Sequence, residues 1–168
     1  MKTIPDEPDY IESEICRRLD SLISNKESYQ WTITEWTKQV KGAVAELGKN
    51  LGFYVCASRC EPRDWGEFLV DVCWLNYEGE NLATVPLALE SEWGPNDADD
   101  DFLKLTIIRA EHRVMIFTVP TNTNRDEAFQ SLLKYVITCK HSLNNDRYLL
   151  CCWNNEERGF DYRVFIVV

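Results

Sequence analysis

Between Thr32 and Trp93 one capped amphipathic helix runs straight into three apolar segments of strand length, an order that leaves few folds open. Thr32 followed by Glu35 reads as a capping box. Trp36, Val40, Ala43, Val44, Leu47 and Leu51 build one stripe that stops near Gly52, which predicts a helix over about 33–50. FYVCAS (53–58), EFLVDVCWL (67–75) and TVPLALESEW (84–93) follow as strands, the last two joined by NYEGEN, whose composition suits a hairpin. Upstream, Tyr10, Ile11, Ile15, Leu19, Leu22 and Ile23 recur at helical spacing and predict a first helix between Pro5 and about Asn25. Downstream come a helix from about Asp99 to Glu111, the strand RVMIFTVP, a helix over about 124–142, and the closing strands RYLLCCW and DYRVFIVV. Without the first helix the order is α-β-β-β-α-β followed by α-β-β. That is an α/β fold with a mixed central sheet flanked by helices.

The 168 residues are 45% hydrophobic and 12% aromatic, enough for one packed core, so a single domain over 1–168 is expected. The acidic start MKTIPDEPDYIESE lacks the order of a signal peptide, and no apolar run reaches bilayer length, which predicts a soluble cytoplasmic protein. Seven cysteines, most of them in apolar segments, read as buried thiols in a reducing compartment. Cys56 and Cys60 have neither a second pair nor a nearby histidine to complete a zinc set. His112 and His141 are expected as cations at helix C-termini, and no His-x-x-x-His spacing points to a zinc enzyme. The run Asp97 to Asp101 lacks the glycine and twelfth-position Glu of a calcium loop and reads as an acidic helix start. The six tryptophans are expected in the core rather than as a base-stacking platform.

Three acids carry the chemistry. Glu90 and Glu92 in LALESEW lie on one face of their strand, about 6.6 Å apart, while Leu87, Leu89 and Ser91 take the other. Asp71, nineteen residues earlier, sits inside FLVDVCWL, where an ionised carboxylate is costly unless paired, neutralised or bound to a cation. Acids converging in such a place suit a hard divalent ion such as Mg²⁺ or Mn²⁺.

Order and acids together resemble the PD-(D/E)xK, or restriction-endonuclease-like, nuclease superfamily. The resemblance covers about residues 33–119, a core of αβββαβ, with 1–30 as an N-terminal helical extension and α-β-β appended after the core. It implies that Asp71 matches the family's strand Asp, Glu90 its first acid on the third strand, and Glu46 its helical Glu. Glu92 stands where the family usually has Lys, a Glu-x-Glu variant, and Lys104 in DDFLKL is the candidate for a lysine moved onto the following helix. The implied activity is phosphodiester hydrolysis of DNA. Asp71, Glu90 and the Ser91 carbonyl would hold Mg²⁺ or Mn²⁺, Glu92 would orient or deprotonate water or bind a second ion, and Lys104 would face the phosphate oxygens.

A net charge of −10 works against nucleic-acid binding, yet Arg59, Arg63 and Arg109 lie near the acids in sequence and are the candidate DNA-binding rim. Nucleases of this kind often act as homodimers. The alternative is an inactive nuclease-like fold whose acidic surface meets a basic protein partner.

Overall fold

The computed structural model describes residues 2–94, 97–120 and 124–168. In chain order these form β1 (Thr3–Asp6), α1 (Tyr10–Ser24), a 3₁₀ turn (Lys26–Gln30), α2 (Ile33–Asn50), β2 (Tyr54–Ala57), β3 (Val72–Glu78) and β4 (Asn81–Glu92). Then follow α3 (Ala98–Ile107), β5 (His112–Thr118), α4 (Arg125–Thr138), β6 (Arg147–Asn154) and β7 (Gly159–Val167). One seven-stranded sheet in the order β1-β7-β6-β5-β4-β3-β2 runs through the domain. β4, β5 and β6 are parallel, and every other pairing is antiparallel.

Each face of the sheet is covered by two helices because the buried strands are apolar on both sides. On one face Ile15 and Leu19 of α1 and Val40, Val44 and Leu47 of α2 pack on Leu87, Leu89, Val114, Ile116, Leu149 and Cys151. On the other, Phe102 and Leu105 of α3 and Phe129, Leu133 and Val136 of α4 pack on Ala88, Met115, Phe117, Leu150 and Cys152. The expected α/β architecture with a mixed, helix-flanked sheet is present. No helix among the described residues is long and apolar enough to cross a membrane.

The boundaries differ from expectation where side chains outbid periodicity. The first helix begins at Tyr10 rather than near Pro5, because Asp9 and Glu12 form a reciprocal capping box, each accepting the other's backbone N–H at 3.0 Å. Residues 3–6 instead pair with β7 as an edge strand that the sequence reading missed. At α2 only the Thr32 half of the predicted box forms, since the Glu35 carboxylate accepts from Gln39 Nε2 at 2.6 Å. The strand expected over 67–75 starts only at Val72. Leu69 has a φ of +68° and stands exposed, which breaks the alternation. His112 is not a helix terminus but the buried first residue of β5. All seven cysteines are free thiols, five of them buried. Trp36, Trp74 and Trp153 are buried as expected, whereas Trp65 is exposed.

One close approach fixes α2 on the sheet. A Cβ at Gly48 would meet Trp74 Nε1 at 2.5 Å and Cδ1 at 2.7 Å, and that ring is itself fully buried and stacked on Phe53. Gly48→Ala is therefore expected to lower unfolding free energy by about 1–3 kcal/mol through overpacking, against a helix-propensity gain of about 1 kcal/mol. Urea denaturation checks this; an unchanged or raised midpoint would refute the contact.

Candidate functional site

Asp71 is the residue just before β3, at the end of the irregular segment, rather than within a strand. Its Oδ1 accepts from Ser58 Oγ at 2.7 Å and from Lys41 Nζ at 3.1 Å, and its Oδ2 accepts the backbone N–H of Ser91 at 3.1 Å. Lys41 also donates to Ser58 Oγ at 2.7 Å, so the hydroxyl relays between ammonium and carboxylate and is not set up as a nucleophile. The Lys41 residue is 5% exposed and comes from α2, so one buried ion pair joins α2, the loop after β2, the start of β3 and β4.

Glu90, 2% exposed, points to the α3 side of β4. Lys104 reaches back from α3 to lie 3.1 Å from Glu90 Oε1, while its Nζ also donates to Asp101 Oδ1 at 2.6 Å. The Glu90 contact is an ion pair outside hydrogen-bond geometry, so Oε1 stays buried without a hydrogen-bond donor. Burial pushes the Glu90 carboxyl up to about 7, and the charges of Asp71 and Asp101 add to the rise against the pull of Lys104. Lys104 is held above the usual lysine range, chiefly by its hydrogen bond to Asp101. Glu92, half-buried, accepts the backbone N–H of Gly94.

Asp71, Glu90 and Lys104 thus gather near the carboxyl end of β4, where Ser91 adds its N–H, while Glu92, the last residue of that strand, has its carboxylate on the Gly94 N–H. Glu46 does not join them: it is exposed on α2 and pairs with Arg18 at 2.6 Å. The same helix supplies Lys41 instead, which sequence reasoning missed. Its signal was its spacing to Ala45 and Gly48, a second buried stripe beside Val40 and Val44. Arg59 is exposed next to Ser58, with φ +52°. Arg63 is held by Glu61 at 3.1 Å and by the Ala57 carbonyl at 3.1 Å. Arg109 lies before the amino end of β5, at the opposite end of the parallel strands from Glu90, and faces Asp146 at 3.6 Å.

The carboxylate oxygens of Asp71 and Glu90 are donors of the kind a hard cation takes, with Lys104 Nζ now standing 3.1 Å from Glu90 Oε1. Asp71 has used three of its roughly four lone-pair sites, so one remains for such an ion. A second group of possible ligands, Asp9, Glu12 and His112, stands near the amino end of β5. Its members are committed to the fold. Glu12 forms a fork with Arg147 at 3.2 and 2.6 Å, Asp9 caps α1, and His112 bridges Asp9 Oδ2 at 2.7 Å and the Pro86 carbonyl at 3.0 Å. Comparison with protein-family models, curated proteins and solved structures found no match to this chain.

Lys41→Met strands Asp71 and is expected to cost about 3 kcal/mol, the low end for breaking a buried pair, because the Asp71 side chain keeps 20% exposure. Adding Asp71→Asn should recover part of that loss in a double-mutant cycle by urea denaturation; strictly additive losses would refute the coupling. For Glu90 the folded pKa of about 7 exceeds the ordinary 4.5, so the folded state holds the proton more tightly than the unfolded chain. Stability then falls as pH rises from about 4.5 to about 7 and is level above that. Glu90→Gln should remove this slope, so its advantage over the parent protein grows across that window; parallel stability profiles would contradict the burial of this carboxylate.

Proposed function

We propose that this chain is a divalent-metal-dependent phosphodiesterase acting on DNA, a Glu-x-Glu member of the PD-(D/E)xK superfamily. What carries the reading is Lys104: a lysine from the helix after the acid-bearing strand stands 3.1 Å from Glu90, as a migrated catalytic lysine would. The order from α2 to β5 is αβββαβ, which agrees with that core. Asp71, Glu90 and the Ser91 carbonyl would hold Mg²⁺ or Mn²⁺, which when bound supplies Lewis acidity and a more acidic water.

The chain's own groups do the remainder. Glu92 takes the proton of the attacking water as its oxygen adds to phosphorus. The P–O bond to the departing sugar oxygen breaks, and that oxygen gains a proton from solvent. Lys104 stabilises the charge that builds on the non-bridging oxygens. Lys41 is a positioning residue, holding Asp71 in the orientation that Ser91 N–H and Ser58 complete. Asp71, Glu90 and Asp101 share the two ammoniums of Lys41 and Lys104, which leaves one more carboxylate than ammonium for a divalent ion to offset.

A second reading, an acidic module for a basic protein partner, draws on one observation: Asp71 and Glu90 each hold a lysine already. Incubation with plasmid and single-stranded DNA in Mg²⁺ or Mn²⁺ separates the two. Cleavage lost in EDTA and in Glu90→Gln, and reduced about 10²- to 10³-fold in Lys104→Ala, is expected of the phosphodiesterase. Absence of cleavage together with absence of Mn²⁺ binding by calorimetry would overturn it in favour of the interaction module.

A further inference from the structure

Over the carboxyl ends of the parallel strands, on the face that carries α1 and α2, four tryptophans meet. Trp31 and Trp36 stand edge to face at 5.0 Å, Trp36 and Trp153 lie 5.2 Å apart, and Trp93 and Trp153 lie 6.3 Å apart. Trp36 and Trp153 are buried, whereas Trp31 and Trp93 keep part of their surface. They wall a cleft of about 380 Å³ floored by Thr118, Val119 and Pro120, a size within the range of small-ligand sites.

Three observations say what fits it. Thr118, one of the residues lining the cleft, is 9% exposed and its Oγ1 has no hydrogen-bond partner, a buried polar group left unanswered. Arg158 sits at the rim, its guanidinium 4.1 Å from the centre of the Tyr29 ring, and among the described residues no carboxylate lies within 4.0 Å of it. The arginines of the adjoining hollow differ, since Arg125 and Arg163 both face Asp161 and Arg163 also binds Asp126 at 2.6 Å. Finally, Trp93 follows Glu92 directly, which sets the cleft about 10 Å along β4 from Glu90.

We propose that the cleft walled by Trp31, Trp36, Trp93 and Trp153 seats a base of single-stranded nucleic acid, with Arg158 meeting the adjoining phosphate. This deepens the phosphodiesterase reading and rests on it for the identity of the polymer. Flat rings stack on aromatic side chains whatever the base, and a rim cation without an acid partner complements a phosphate. The acidic chain then binds its substrate through local chemistry rather than through its overall charge.

The test is tryptophan fluorescence titrated in EDTA, so that no cleavage intervenes, with a ten-nucleotide oligothymidylate, an abasic ten-mer and a proline-rich decapeptide. Oligothymidylate is expected to quench and to bind at least tenfold more tightly than the abasic strand. Arg158→Ala, an exposed change that spares the core, should weaken it about tenfold, and Trp31→Ala should reduce the quenching. Equal affinity for the abasic strand, an unaltered Arg158→Ala, or quenching by the peptide alone would overturn the proposal. A parallel plasmid assay in Mn²⁺ keeps the two claims apart. Cleavage without oligothymidylate quenching removes the cleft and spares the phosphodiesterase, whereas quenching without cleavage supports the cleft and removes the phosphodiesterase.

Discussion

The buried pair of Lys41 and Asp71 is the constraint on which the rest of the site depends. An ammonium at 5% exposure is tolerable only if its hydrogens find acceptors, and here two of them are Ser58 Oγ and Asp71 Oδ1. Because those acceptors come from separate segments, satisfying one charge fixes three pieces of chain together. The Ser91 N–H then ties the same carboxylate to β4, the strand that carries Glu90 and Glu92. Removing the lysine would therefore loosen the alignment of β3 on β4 where the acids meet, not only a single contact.

The second carboxylate is in the opposite electrostatic condition. Asp71 is surrounded by donors, whereas Glu90 is deeply buried, has an oxygen with no hydrogen-bond donor, and feels the charges of Asp71 and Asp101. Its raised pKa records that a positive charge is wanted beside it and that Lys104, half exposed, answers only in part. A proton, the ammonium and a divalent ion are alternative answers to the same field.

What the sequence disclosed and what it hid divide along physical lines. The stripe of α2 and the alternation of LALESEW were legible because burial imposes periods of 3.6 and 2, and both elements run close to where they were expected. The acids Asp71, Glu90 and Glu92 were legible because a carboxylate in an apolar run needs a reason. Lys41 was not, since its type resembles that of Lys38 three residues earlier and only the tertiary position of Ser58 and Asp71 makes it a buried group. Glu46 failed for the converse reason: it lies on the solvent side of α2, where Arg18 claims it. β1 and the turn at Leu69 escaped because edge pairing and a positive φ depend on partners distant in the chain or on one backbone angle, neither of which periodicity reports.

ESEWG, at the end of β4, shows how few residues serve both faces of the sheet. Glu90 turns toward α3, Ser91 donates its N–H to Asp71 and accepts at Oγ from Trp93 Nε1–H, and Trp93 lines the aromatic cleft. Glu92 accepts from Gly94, where any larger residue would meet Asp97 Oδ2 at 2.5 Å and Glu92 Oε1 at 3.0 Å. The Asp97 N–H donates to the Gly94 carbonyl at 3.2 Å just ahead of α3, the helix whose Lys104 lies 3.1 Å from Glu90. Since β4 pairs in parallel with β5 and antiparallel with β3, its carboxyl end is where the parallel strands and the antiparallel edge open together. Ligands of open α/β sheets collect at such carboxyl ends. The acid cluster and the tryptophan cleft are thus two sides of one strand terminus, Glu90 on the face of α3 and Trp93 on the face of α1 and α2.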